Sequence, residues 1–162
     1  GELGRFEEGI GLWDRVLDKH PDYVEALFNK GYCLIGLQRY SAALEVSRRA
    51  VELQPDHKEA VFNYGTCELY VGDPQRALEV VRPLAEDHPE YPLLQALWAA
   101  LASVNHKCTE AAGLIVQLFG KGYAIEAYLR ERALVLKQLG RDRLAGLLQE
   151  ATHTLNARKQ DV

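Results

Sequence analysis

From residue 41 the chain reads SAALEVSRRAVELQ. On a helix its apolar positions Ala43, Leu44, Ala50, Val51 and Leu53 share one side, and Glu45, Arg48 and Arg49 the other. The preceding stretch, EALFNKGYCLIGLQ, carries Leu27, Gly31, Leu34 and Ile35 along one side at helical spacing. A turn around Gln38, Arg39 and Tyr40 separates the two, so the pattern predicts a helix, a short turn and a second, antiparallel helix. Gly31 and Ala43 fall where the two helices would cross, and a large side chain there would force them apart. Proline cannot continue a helix, and Pro21, Pro55 and Pro89 each close an amphipathic stretch, 34 residues apart in both intervals.

The same shift of 34 aligns eight identical pairs: Ala26 with Ala60, Phe28 with Phe62, Asn29 with Asn63, Gly31 with Gly65, Cys33 with Cys67, Ala43 with Ala77, Leu44 with Leu78 and Glu45 with Glu79. That is too many for chance. Units 24–57 and 58–91 match each other strongly. Residues 1–23 match only the second half of a unit, with Phe6, Gly9 and Val16 where Tyr40, Ala43 and Ala50 fall. Unit 92–125 keeps the register through Ala99 and Ala111 but ends in FGKGY without a proline. A degenerate unit, 126–158, turns at Gly140 and is followed by a polar tail. Its stripe of Leu144, Leu147, Leu148, Ala151 and Leu155 aligns best with a turn one residue shorter.

A 34-residue period of helix pairs, with glycine in the first helix, alanine in the second and a closing proline, resembles the tetratricopeptide repeat family. The usual first-helix aromatic is replaced by Leu27 and Val61. The resemblance implies an all-α fold, a right-handed superhelical solenoid of antiparallel helix pairs forming one repeat domain over residues 1–162.

Composition narrows the function classes. A formal charge of −4 and a pI near 5.8 provide no basic field for nucleic acid. No apolar run approaches the roughly 18 residues of a membrane span, so no membrane insertion is expected. The chain opens on Gly1 without a methionine or a signal-peptide pattern, and reads as a piece of something longer. Three scattered cysteines form no disulfide framework, which points to a reducing, cytoplasmic setting. Cys33 and Cys67 read as small core residues, and Cys108 as exposed without an activating neighbour. His20, His57, His88, His106 and His153 lack metal-ligand spacing and read as solvent-exposed corner residues. The glycines of GKGY match neither a dinucleotide fingerprint nor a phosphate loop. Carboxylates with cations three or four residues away, such as Glu45 and Arg49, read as solvated faces. Neither enzymatic chemistry nor a cofactor is expected.

What the resemblance implies instead is a protein-interaction scaffold whose first helices line a concave groove for a partner peptide or helix. The groove residues are then Glu25, Phe28, Asn29, Tyr32 and Ile35, with Glu59, Phe62, Asn63, Thr66, Leu69 and Tyr70 one period later, and Leu97 beyond them. An asparagine ladder suits a peptide backbone, with aromatics supplying side-chain pockets; alternatively, the asparagines tie neighbouring helices together. Asn63 matches an asparagine of the family members that clamp chaperone tails, but Phe28 and Tyr32 stand where their first lysine and asparagine are expected and Leu93 and Leu97 replace a later basic pair, which argues against that ligand. The opening helix lacks a covering first helix, so Phe6, Ile10, Trp13 and Leu17 are expected to seek a second copy of the chain. The rival reading is a non-catalytic, substrate-positioning repeat portion of a larger enzyme, such as a glycosyltransferase or a methyltransferase.

Overall fold

The structure, a computed structural model, describes residues 1–161, and every regular element among them is an α-helix. Backbone contacts group the chain into two compact units, residues 1–72 and residues 73 onward. The first holds α1 (Glu2–Lys19), α2 (Val24–Gly36), α3 (Tyr40–Leu53) and α4 (Lys58–Val71). The second holds α5 (Pro74–Asp87), α6 (Pro92–Val104), α7 (Cys108–Gly120), α8 (Ile125–Gln138) and α9 (Asp142–Gln160). The expected polar tail is therefore helical through Gln160, and Val162 lies outside the described residues.

The period is kept more strictly than the sequence suggested. α3, α5, α7 and α9 begin at Tyr40, Pro74, Cys108 and Asp142, each 34 residues after the last. The turn before each second helix also repeats. Gln38, His106 and Gly140 hold φ of 59°, 58° and 76°. The residue after each donates its backbone N–H to a carbonyl five residues back, as Arg39 to Leu34, Lys107 to Ala102 and Arg141 to Leu136. This is the helix-ending geometry in which one left-handed residue turns the chain and satisfies an orphan carbonyl. Only Gly140 adopts that φ without a steric cost. Gly72, the fourth residue of this series, is turned differently, with φ of −120°.

This register corrects the reading of the last unit. No residue is missing from its turn, and Ala145 takes the place of Ala43, Ala77 and Ala111; all four are buried. Leu148, Thr152 and Leu155 complete the buried stripe, while Leu144, Leu147 and Ala151 are half-buried. The shorter turn looked better because it lined up leucines, whereas the crossing point selects a small residue.

Within residues 1–72, α2 packs between α1 and α3, and α4 packs on α3 and α2. Leu27, Ala50 and Ala60 form one apolar cluster, with Leu17 and Val24 against it. Leu34, Ala43 and Cys67 form another, joined by Ile10 and Leu44. Gly31 marks the close approach: a Cβ there would lie 3.0 Å from the Ser47 Oγ and 3.4 Å from a Val46 methyl. Leu53, expected inward, is exposed at the last turn of α3. Arg49 pairs not with Glu45 but with Asp22 at 2.6 Å, which raises its pKa further.

From residue 73 onward, α6 is the central helix, in contact with α5, α7, α8 and α9. Its stretch Leu94–Leu97 is buried, as is Ala99–Val104. Arg82 on α5 grips Glu110 on α7 with two hydrogen bonds of 2.8 Å, and Trp98 on α6 donates to the same carboxylate at 2.6 Å. One half-buried anion thus ties three helices together. On α8, Glu126 bonds to Lys159 at 2.6 Å and to Arg130 at 2.6 Å, fastening the last turn of α9.

Candidate partner-binding site

The expected groove residues do not form one accessible surface. Glu25 and Tyr32 on α2 and Glu59 on α4 are exposed, and Phe28, Asn29, Ile35 and Phe62 are half-buried. Asn63, Thr66, Leu69 and Tyr70 are buried, with only 4, 3, 0 and 2% of their surface exposed. These four present nothing to a partner, and neither does Leu97, fully buried on α6. A helical wheel separates the side facing the pair-mate from the opposite side. It does not show that a second neighbour covers the opposite side as well. Thus Asn63 donates from Nδ2 to the Phe28 carbonyl at 3.4 Å and reaches towards the Gly31 notch. Tyr70 meets Tyr40 edge-on at 4.8 Å. Asn29 bonds its own helix, donating to the Glu25 carbonyl at 2.7 Å. The two asparagines therefore fasten helices, each in its own way, and do not form a ladder.

What stays open in residues 1–72 is a smaller patch along α2 and the start of α4. Phe6 stands edge-on to Tyr32, ring centres 6.0 Å apart, and Tyr32 is 56% exposed. Phe28 lies 5.5 Å from the His57 ring. His57 accepts the Ala60 backbone N–H at Nδ1 over 3.2 Å and so caps α4. That bond places the ring proton on Nε2, which donates to Glu25 at 3.1 Å. Glu59 approaches Nδ1 at 3.4 Å, and with the lone pair there this contact is not a hydrogen bond of that nitrogen. His57 is therefore no solvated corner residue, since 9% of its side chain is exposed. The sequence signal for it was the column Tyr23, His57, Tyr91, one ring at the start of α2, α4 and α6, of which only the histidine caps with its side chain.

The opening helix departs from expectation too. Phe6, Ile10, Trp13 and Leu17 are half-buried. Phe6 covers Gly36, where a Cβ would lie 2.5 Å from the ring, and Ile10 and Leu17 join the two apolar clusters. Three residues of the face expected to seek another copy, Phe6, Ile10 and Leu17, thus have partners within residues 1–72, where α2 is neighbour to both α1 and α3. Leu3 and Leu12, outside that face, are exposed.

The remaining groups give no constellation for covalent chemistry. Among the described residues no three His, Cys, Asp or Glu side chains gather as metal ligands would, and no helix is long and apolar enough to cross a membrane. Cys33 and Cys67 are free and buried, and Cys108 is free and exposed. Burial pushes the Cys67 thiol up to about 12, with nearby Glu68 adding to it, and burial raises Cys33 as well. Neither is poised as a nucleophile. The sequence did not reveal a groove of about 590 Å³ between α7 and α9, lined by Ala111, Ala112, Gly113, Val116, Leu147 and Ala151 with Arg158 at its edge.

Comparison with known proteins agrees with this geometry. The solved structure titled "Crystal structure of MamA" superposes with a TM-score of 0.69 at 16% identity, covering 98% of this chain and 93% of that one. A structure titled "MamA 41-end from Desulfovibrio magneticus RS-1" gives 0.66 at 17% identity, covering 98% and 89%. At such identity the likeness is one of fold. No curated protein sequence matches the chain. Two family models, both described as Tetratricopeptide repeat, match residues 1–58 and 38–101. Together they run through well over half of the sequence. With the 34-residue helix pairs and the shared solenoid fold, they establish that the chain belongs to the tetratricopeptide repeat family.

Proposed function

We propose that the chain is a non-catalytic protein-interaction scaffold that holds a partner segment on the open patch of α2 and the start of α4. Family membership supports the scaffold reading. The observation that carries the location is the exposed Tyr32, on the same helix as the half-exposed Phe28 and Glu25, beside a Phe6 ring that supports it edge-on. Aromatic side chains on a firm backing are the residues that most often anchor an interface. Three unpaired thiols, two of them buried, suit a cytoplasmic setting.

The test is a photo-crosslinking residue placed at position 32, or, as a control, at the outward position 45 on α3. The expected result is a discrete adduct from position 32 only, diminished by Phe28→Ala. Equal adducts from both positions would refute the location.

A further inference from the structure

We infer that two copies of the chain pair through the groove between α7 and α9, about a two-fold axis that passes beside Thr154. The groove lies wholly within residues 73 onward and shares no residue with the patch on α2. The repeat shows why it stays open. One period earlier, Arg82 and Glu110 tie α5 to α7 through two hydrogen bonds of 2.8 Å. The residues 34 positions further on are Val116 and Leu144, which leave α7 and α9 without that tie. Gly113 keeps the wall of α7 low, since a Cβ there would meet nothing within 4 Å.

The outer side of α7 is also without charge. The exposed residues of α5 include Arg76, Glu79, Glu86 and Asp87, whereas none of those on α7 is charged. The one ionic side chain of α7, Glu110, is held by Arg82 and Trp98. Val116 and Phe119 are 43 and 44% exposed. An apolar ridge beside an apolar hollow is costly to leave in water and matches the surface of another helix.

The charge on the opposite wall identifies that helix as α9 of a second copy. Glu150 and Arg158 are the only charged residues that line the groove. Both are exposed on α9, and neither meets an oppositely charged side chain among the described residues. Lys107 and Lys121 at the ends of α7, and Arg143 beside His106, stand outside the lining. Positions 150 and 158 are about 12 Å apart along the helix, with Thr154 midway. When two copies of α9 lie antiparallel with Thr154 on the axis, Glu150 of each copy meets Arg158 of the other. A two-fold contact requires such a self-complementary pattern, and the opposed helix dipoles favour the same antiparallel direction. The ion pairs set direction and register, while covering the apolar walls supplies the attraction.

The test is sedimentation equilibrium of the full chain over a concentration series, which should show a monomer–dimer equilibrium. Glu150→Arg alone and Arg158→Glu alone should each weaken the dimer about tenfold, because symmetry makes each like-charge contact twice. The double exchange Glu150→Arg/Arg158→Glu should restore it, which a merely destabilised fold would not do. In a Cys108→Ser background, Thr154→Cys should cross-link two copies with oxidised glutathione, since a residue on the axis faces its own counterpart. Gln149→Cys, exposed on α9 outside the lining, should not. A chain that stays monomeric at every concentration would overturn the inference and leave the groove to a helix of another protein. A dimer that the double exchange fails to restore, or that cross-links as readily through Gln149→Cys, would place the contact elsewhere and overturn it as well.

Discussion

Asn63 and His57 show what single positions decide in this fold. Asn63 is identical in type to Asn29 one period earlier, yet one side chain is buried between helices and the other bonds its own helix. Sequence identity at repeat spacing therefore does not guarantee equal exposure. His57, with no identical residue one period away, closes the start of α4 and orients Glu25. Its replacement by alanine should cost about 1 kcal/mol in urea unfolding through the lost cap. Gly31→Val should cost about 1–3 kcal/mol by overpacking against Ser47 and Val46, measured in the same way. The thiols give a pH test. In the unfolded chain Cys67 ionises near its ordinary value of 9.0, whereas in the fold it resists to about 12. Its contribution to stability is full below pH 9 and is lost as pH rises towards 12. Under native conditions at pH 8, iodoacetamide should label Cys108 alone, as mass mapping would show; rapid labelling of Cys67 would contradict the burial.

The helices α1, α3 and α5 were legible because two independent signals agree at their ends. Pro21, Pro55 and Pro89 lie two residues beyond the ends of α1, α3 and α5, and the apolar stripes between them keep one period. The patch was only half legible. Glu25, Phe28 and Tyr32 stand on a first helix whose outer side is partly open, whereas Thr66, Leu69 and Tyr70 lie in a stretch of α4, residues 63–70, that is buried throughout. Hydrophobic periodicity records that a side chain is apolar, not how many neighbours its helix acquires. The Arg82–Glu110–Trp98 tie was invisible for a related reason: its members are 28 and 12 residues apart and carry no motif. Glu110→Ala should destabilise residues 73 onward by about 1–3 kcal/mol, read by urea unfolding followed through Trp98 fluorescence. Pro83 sits inside α5 on an exposed position, where it removes a backbone donor. Pro83→Ala should therefore raise the thermal midpoint; an unchanged midpoint would show that α5 has already absorbed the lost bond.

At the scale of the molecule, each end of the chain is fastened by its own device. Phe6, Ile10 and Leu17 of α1 pack on its neighbours, so Leu17→Glu should lower stability while leaving the size by light scattering unchanged. The end of α9 depends on charge. The Lys159 ammonium, bonded to Glu126, holds that carboxyl below its usual range. A carboxylate whose pKa is depressed by folding stabilises at neutral pH and loses that effect as pH falls through the lowered value. Protection of the amides across residues 156–160, referenced to the intrinsic exchange rate at each pH, should fall on acidification, and Lys159→Met should produce the same fall at neutral pH.

The even spacing of Tyr40, Pro74, Cys108 and Asp142 also makes the chain divisible. Each interval from one of these residues to the next contains a second helix, a first helix and the turn that starts the following copy. A cassette of residues 108–141, cut after the matching turns at His106 and Gly140, begins and ends in the same conformation. Splicing in a duplicate of residues 108–141 would thus lengthen the protein by one complete helix pair without shifting the phase of any buried stripe downstream. An extra or missing residue inside a helix would rotate the rest of that helix by about 100° about its axis, turning its apolar side away from its neighbours, whereas the same change in a turn is absorbed by the connection. Whole copies, in steps of 34, are therefore the insertions that keep every helix boundary and every small residue at its crossing point.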